Sequence, residues 1–112
     1  MALPADTLYW TYPEFHAFTM LYAANADGKV TAEEEDLIIP TLSAKDYERI
    51  KSIFYRSHDA DALDIIMHYK EQYCKSQGDK DRILADMMDI YKANASYDQI
   101  ERGVHQLFQR ML

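Results

Sequence analysis

Cysteine, glycine and proline are scarce in this chain of 112 residues. The single cysteine, Cys74, excludes an internal disulfide, and no Cys-x-x-Cys or His-x-x-x-His spacing supports a structural zinc site. Only 3 Gly and 3 Pro interrupt a chain that is 48% hydrophobic and 28% charged. This balance favours a compact helical protein over long disordered segments.

Basic residues are also few, with 12 Lys and Arg against 19 Asp and Glu, a net charge of -7. Nucleic acids and anionic membranes bind basic surfaces, so we expect neither as a partner. No apolar run approaches the ~18 residues of a membrane span. The first residues lack the basic start and long apolar run of a signal peptide. We therefore expect a soluble, cytoplasmic protein that tolerates cations and basic partner surfaces.

Apolar residues recur with helical period throughout the chain, and no stretch alternates long enough to predict a strand. Helix starts are marked by capping pairs such as Thr11 with Glu14 and Ser43 with Asp46. The sequence predicts one all-α domain over residues 1–112, a compact bundle of about six helices. The first helix should run over 13–26, the second from 32 to the region of Pro40, and the third from 43 to 57. The fourth should begin at 58–61 and stop at Gln77-Gly78. The fifth should begin at Asp79 and the sixth at Ser96.

The inner faces of these helices follow from the same spacing. They comprise Phe15, Phe18 and Tyr22 in the first helix, Leu37, Ile38 and Ile39 in the second, Tyr47, Ile50, Ile53 and Phe54 in the third, Leu63, Ile66, Met67, Tyr73 and Cys74 in the fourth, Ile83, Leu84, Met87, Ile90 and Tyr91 in the fifth, and Ile100, Val104, Leu107, Phe108 and Leu112 in the last.

Residues 1–12 are apolar and aromatic and include Trp10. A free monomer seldom leaves such a cluster in water, so we expect an arm lying across a helix groove. An exposed docking patch is the alternative. The chain also has 9 Tyr, more than a core of this size hides easily, because each hydroxyl needs a partner. Some of these rings should face a groove or a partner protein.

The segment 21–38 carries the most distinctive residue order, an apolar helix end followed by an acidic turn and a cluster of carboxylates. Asp27-Gly28 is a turn dipeptide, and Thr31 with Glu34 marks the next helix start near Ala32. The order nearly fits a calcium-binding EF-hand loop, with Asn25, Asp27, Gly28 and Glu34 in register. The first ligand position falls on Ala23, which has no side-chain oxygen.

A second copy of this pattern follows later in the chain. Residues 21–26 (Leu-Tyr-Ala-Ala-Asn-Ala) resemble residues 90–95 (Ile-Tyr-Lys-Ala-Asn-Ala). Both hexamers precede a turn and a capped helix start, although Asp27-Gly28 becomes Ser96-Tyr97 in the second copy. The repeat indicates either two pseudo-symmetric halves or chance similarity between two amphipathic helices.

The order Tyr-Ala-Ala-Asn-Ala-Asp-Gly-Lys-Val-Thr-Ala-Glu-Glu-Glu resembles the signature of the tellurite-resistance TerB-like family, which includes the N-terminal domain of a membrane-anchored DnaJ-like co-chaperone. The resemblance implies an all-helical bundle of two related halves, a link to tellurite and stress resistance, and divalent-cation binding at the acidic turn. Carried over to this chain, the candidate ligands are Asp27 with one or more of Glu33, Glu34 and Glu35. The second half lacks Ala-Asp-Gly, so a site needing both halves is not supported.

Two functions remain open at this point. The first is a non-catalytic TerB-like interaction or stress-response module that recognises another protein through an aromatic surface. Calcium or magnesium would bind weakly at Asn25, Asp27, Glu33 and Glu34, with no other cofactor.

The alternative is a degenerate EF-hand-like calcium sensor. The acidic turn could also be purely structural, since glutamates in a first turn complement the helix dipole. No catalytic pattern is present, and His58 with Asp59 and Asp61 is more typical of a helix cap than of a metal site.

Overall fold

The computed structural model describes residues 10–25, 32–38, 42–93 and 99–111. These residues form α1 (Tyr12–Ala24), α2 (Ala32–Ile38), α3 (Ala44–Arg56), α4 (Asp59–Tyr73), α5 (Gln77–Ala93) and α6 (Gln99–Met111). Within these ranges no strand occurs, so the predicted all-α bundle of about six helices is confirmed. The radius of gyration is 13.0 Å, as expected for a compact domain of roughly 100 residues.

Helix α1 lies at the centre of the bundle and contacts each of the other five helices. Every residue from Phe15 to Leu21 is buried, so α1 is buried on all sides here and not only along the predicted stripe on one face. The two polar side chains in this run each have a partner. Thr19 donates its hydroxyl to the Phe15 carbonyl at 2.8 Å, and His16 Nε2 lies 2.8 Å from Asp86 Oδ2 on α5. A helix buried all round becomes a scaffold on which the others pack.

Capping residues fix several helix starts as the sequence predicts. Thr11 precedes α1, and its backbone N–H and hydroxyl both donate to Glu14 Oε1, at 2.8 and 2.9 Å. Ser43 caps α3 by accepting a hydrogen bond from the Asp46 backbone N–H at 3.2 Å. These bonds satisfy N–H groups that have no partner within the helix.

The predicted junction between α4 and α5 was wrong. Gln77-Gly78 does not stop α4, which ends at Tyr73, but forms the first turn of α5. Ser76 is the residue that starts α5, because its hydroxyl accepts from the Asp79 backbone N–H at 3.1 Å while Asp79 accepts from the Ser76 N–H at 3.4 Å. This reciprocal pair has capping-box geometry, and it outweighs the preference of Gly78 for a helix end.

The inner face of α4 also differs from the prediction. Its buried residues are Ala62, Ile65, Ile66 and Tyr69, whereas Met67 is 37% exposed. Leu37 of α2 and Leu107 of α6 were also predicted to face inward, and they are 46% and 39% exposed. Tyr69 is buried because its ring stacks on Trp10 at 5.4 Å between ring centroids. The aromatic segment before α1 therefore packs against the buried face of α4 at Tyr69.

Residues 10–12 are the described part of the predicted arm. The Trp10 side chain is 3% exposed and lies between Tyr69 and Phe18, whose ring centroid is 5.1 Å away. Its backbone N–H donates to the Tyr69 hydroxyl at 3.1 Å, and its carbonyl accepts from the Tyr73 hydroxyl. At Trp10 the chain is thus packed into the groove between α1 and α4. Residues 1–9 lie outside the described residues.

Candidate binding cleft and acidic turn

The four predicted cation ligands occupy different surroundings. Asn25 is the C-cap residue of α1, with φ -84° and ψ 11°, and its backbone N–H donates to α1 carbonyls. Glu33 is exposed, whereas Glu34 is fully buried at 0% exposure. Asp27 falls in 26–31, outside the described residues. A buried carboxylate is unusual, because removing its charge from water is costly unless partners compensate.

Glu35, the remaining carboxylate that the resemblance implied, binds neighbouring side chains. Its Oε2 accepts from the Tyr47 hydroxyl at 2.6 Å and from Lys51 Nζ at 2.9 Å. The hydrogen bond from Tyr47 lowers the pKa of Glu35, against the opposing effect of burial. Burial, followed by the same bond, raises the pKa of Tyr47. Glu35 therefore ties α2 to α3 through one of its two carboxylate oxygens.

Metal-binding clusters of three or more His, Cys, Asp or Glu side chains are not found among residues 10–25, 32–38, 42–93 and 99–111. His58 is the N-cap residue of α4, and Asp59 accepts a hydrogen bond from Tyr22. His58, Asp59 and Asp61 are among the described residues and do not converge into such a cluster.

A cleft of about 280 Å³ opens beside Asn25, at the end of α1. Phe54 and Ala62 are its buried residues, and Tyr55 at the edge is 53% exposed. Ligand clefts typically combine such apolar and aromatic walls with a few polar groups. The lining residues are Tyr22 and Asn25 from α1 and its cap, Phe54, Tyr55 and Ser57 from α3 and its cap, Asp59 and Ala62 from α4, and Val104 from α6.

The polar contact within this cleft joins α1 to α4. The Tyr22 hydroxyl donates to Asp59 Oδ1 at 2.9 Å, and the Tyr22 ring meets Phe108 of α6 edge-on at 5.7 Å between centroids. Burial raises the pKa of Tyr22, and the adjacent Asp59 carboxylate raises it further. The hydroxyl of Tyr22 therefore stays protonated at neutral pH and donates to Asp59.

Three helix ends meet at the cleft. The C-cap residues of α1 and α3, Asn25 and Ser57, both line it, and so does Asp59 in the first turn of α4. A helix C-terminus carries a partial negative charge and free carbonyls, whereas an N-terminus is partially positive. The last turn of α1 contains no basic residue to offset its carbonyls.

The sequence did not predict this cleft, because it arises where ends of separate helices meet. One signal was available. Tyr55 follows Phe54 directly, and it lies outside the predicted inner face of its helix. An aromatic residue on the outer face of an amphipathic helix is a candidate contact residue.

The pair His16 and Asp86 is a second constellation that the sequence did not reveal. Two cavities of about 150 and 220 Å³ flank it, one beside Met20 and Leu37 and the other beside Tyr12. The His16 side chain is nonetheless buried, and its Nδ1 makes no hydrogen bond. A general base must reach the proton that it abstracts, so we interpret this pair as a structural tie between α1 and α5.

Comparison of the chain with family models, curated proteins and solved structures yields no match. The TerB-like resemblance therefore stays a prediction. Among the described residues, no helix combines the length and the apolar character that crossing a membrane requires.

Proposed function

We propose that this chain is a non-catalytic, TerB-like interaction module that receives a segment of another protein in the cleft between α1, α3, α4 and α6. The exposed ring of Tyr55 beside the buried Phe54 and Ala62 is the observation that carries the proposal. An aromatic side chain half in water above an apolar floor gains buried area when a partner covers it. Tellurite and general stress resistance is the setting that the resemblance implies.

The acidic turn follows α1 directly, so a cation bound there would influence the side of the cleft formed by the end of α1. Asn25 both lines the cleft and begins the predicted cation-binding segment. A calcium or magnesium ion held by Asp27 and Glu34 would fix the end of α1 and thereby the cleft wall. Oxygen ligands favour these ions over zinc.

The interaction is tested by retaining proteins from a cell extract on the immobilised full chain. Tyr55→Glu places a charge on the cleft edge, whereas Met67→Glu places the same charge on an exposed residue of α4 that does not line the cleft. We expect proteins bound by the wild type and by Met67→Glu to be lost from Tyr55→Glu. Identical sets on all three chains would show that the cleft is not the interaction site.

The cation role is tested by calorimetric titration with calcium and magnesium, up to about 5 mM because the expected site is weak. We expect binding heat from the wild type and from Glu71→Gln, an exposed control on α4, and its loss from Asp27→Asn and Glu34→Gln. If the wild type gives neither heat nor a change in melting temperature, the cation role must be abandoned.

The sensor alternative makes a different prediction. The near-complete EF-hand register from Asn25 to Glu34 is what favours it. A sensor exposes apolar surface when calcium binds, so a hydrophobic dye should fluoresce more strongly with calcium than with chelator. Equal dye fluorescence under both conditions would exclude the sensor alternative. It would not affect the proposal of an interaction module.

A further inference from the structure

We infer that the cleft binds the side chain of a lysine or arginine, presented by a basic segment of the partner protein. The inference rests on the proposed interaction function and specifies the partner's chemistry. It depends on the charges, the rings and the size of the cleft, which all favour one long cationic side chain.

The charges around the cleft are predominantly negative. The C-terminal ends of α1 and α3 each contribute roughly half a negative charge, and the N-terminal end of α4 opposes one of them with roughly half a positive charge. Asp59 adds a full negative charge at the lining. Arg56 in the last turn of α3 and Asp61 in the first turn of α4 offset each other in sign. Asp59 is the charged residue among those that line the cleft, and its carboxylate favours a cation over an anion.

Aromatic rings give the cleft a second way to bind a cation. Tyr22, Phe54 and Tyr55 all line it, and the rings of Phe54 and Tyr55 meet edge-on at 5.3 Å between centroids. A cation within about 6 Å of a ring centroid is attracted by the negative face of the ring. A cation held in the cleft would lie among these rings and the Asp59 carboxylate.

The volume of about 280 Å³ suits one side chain better than a drug-sized ligand or a whole helix. The methylene stem of lysine or arginine would lie against Ala62 and Val104, with its charged end near Asp59. A bare metal ion is disfavoured, because no cluster of three metal-binding side chains occurs in the described part of the chain. The net charge of -7 would also speed the approach of a basic segment.

The test is a titration of the full-length, isotope-labelled chain with acetylated hexalysine amide, followed by nuclear magnetic resonance. We expect shifts of the amides around Tyr55, Ser57 and Asp59. Asp59→Asn should weaken binding about twofold to fivefold, the range of an exposed ion pair. Glu71→Gln removes the same charge from an exposed site on α4, about 18 Å along the helix axis, and should change affinity much less.

Tyr55→Ala should weaken the binding of hexalysine about twofold to fivefold, as expected for loss of an exposed cation–π contact, while Met67→Ala should leave the affinity unchanged.

Equal weakening by Asp59→Asn and Glu71→Gln would overturn the inference, because binding would then follow net charge alone. Absence of shifts at the cleft would also overturn it. If the extract experiment still shows Tyr55-dependent partners in that case, only the cationic specificity fails. If Tyr55→Glu retains every partner as well, the proposed function fails with it.

Discussion

Replacing Trp10 by alanine should remove a large share of the stability of the fold. The Trp10 side chain is buried between Tyr69 and Phe18, and its loss would leave a cavity between α1 and α4. A buried aromatic residue truncated to alanine typically costs about 3–5 kcal/mol, and domains of this size are stable by about 5–15 kcal/mol. At roughly 4 °C per kcal/mol, the melting temperature should fall by about 12–20 °C.

The assay is urea unfolding followed by far-ultraviolet circular dichroism, because the variant keeps no tryptophan as a fluorescent reporter. Trp10→Phe, which retains a ring in the groove, should lose less stability than Trp10→Ala. Tyr55→Ala is the matched surface control, since half of its ring is already in water, and should change stability by no more than about 0.5 kcal/mol. A loss of less than about 1 kcal/mol for Trp10→Ala would refute the packing of this segment into the core.

Two further predictions concern the carboxylates of α1 and α2. The lowered pKa values of Glu14 and Glu35 mean that their bonds stabilise the fold above the unfolded value near 4.5 and lose this effect as the pH falls through the folded values. The free energy of unfolding of the wild type should therefore fall from pH 6 to pH 3. It should fall less steeply in Tyr47→Phe, which lacks the hydrogen bond to Glu35. The same pH dependence in both proteins would contradict the role of the Tyr47 bond. Glu34→Ala should cost about 1–3 kcal/mol because truncating a fully buried side chain leaves a cavity, whereas Glu33→Ala at an exposed position should cost no more than about 0.5 kcal/mol in the same assay. Equal effects would contradict the difference in their surroundings.

Local signals predicted the parts of the fold that are determined by local interactions. Ser43 with Asp46 marks the start of α3, and its predicted inner face is the one that is buried. The predicted start of α5 was wrong because it relied on the preference of Gly78 for a helix end. The reciprocal hydrogen bonds between Ser76 and Asp79 determine this boundary instead.

Tertiary interactions determine what the sequence did not reveal. Burial of α1 on all sides follows from its central position among the other helices, so its own periodicity could not show it. The cleft likewise requires Asn25, Ser57 and Asp59, which belong to three helix ends, to meet. The predicted cation residues Asn25 and Glu34 were identified by their order around a turn, but that order did not distinguish a buried carboxylate from the exposed Glu33.

The central claim is that the cleft beside Asn25 is a binding surface for a basic segment of another protein. Intermolecular nuclear Overhauser effects between the labelled chain and bound hexalysine test it most directly. We predict cross-peaks from the lysine side-chain methylene protons to the ring protons of Tyr22, Phe54 and Tyr55, all of which line the cleft. Cross-peaks confined to other surfaces, or their absence at saturating peptide, would contradict the account.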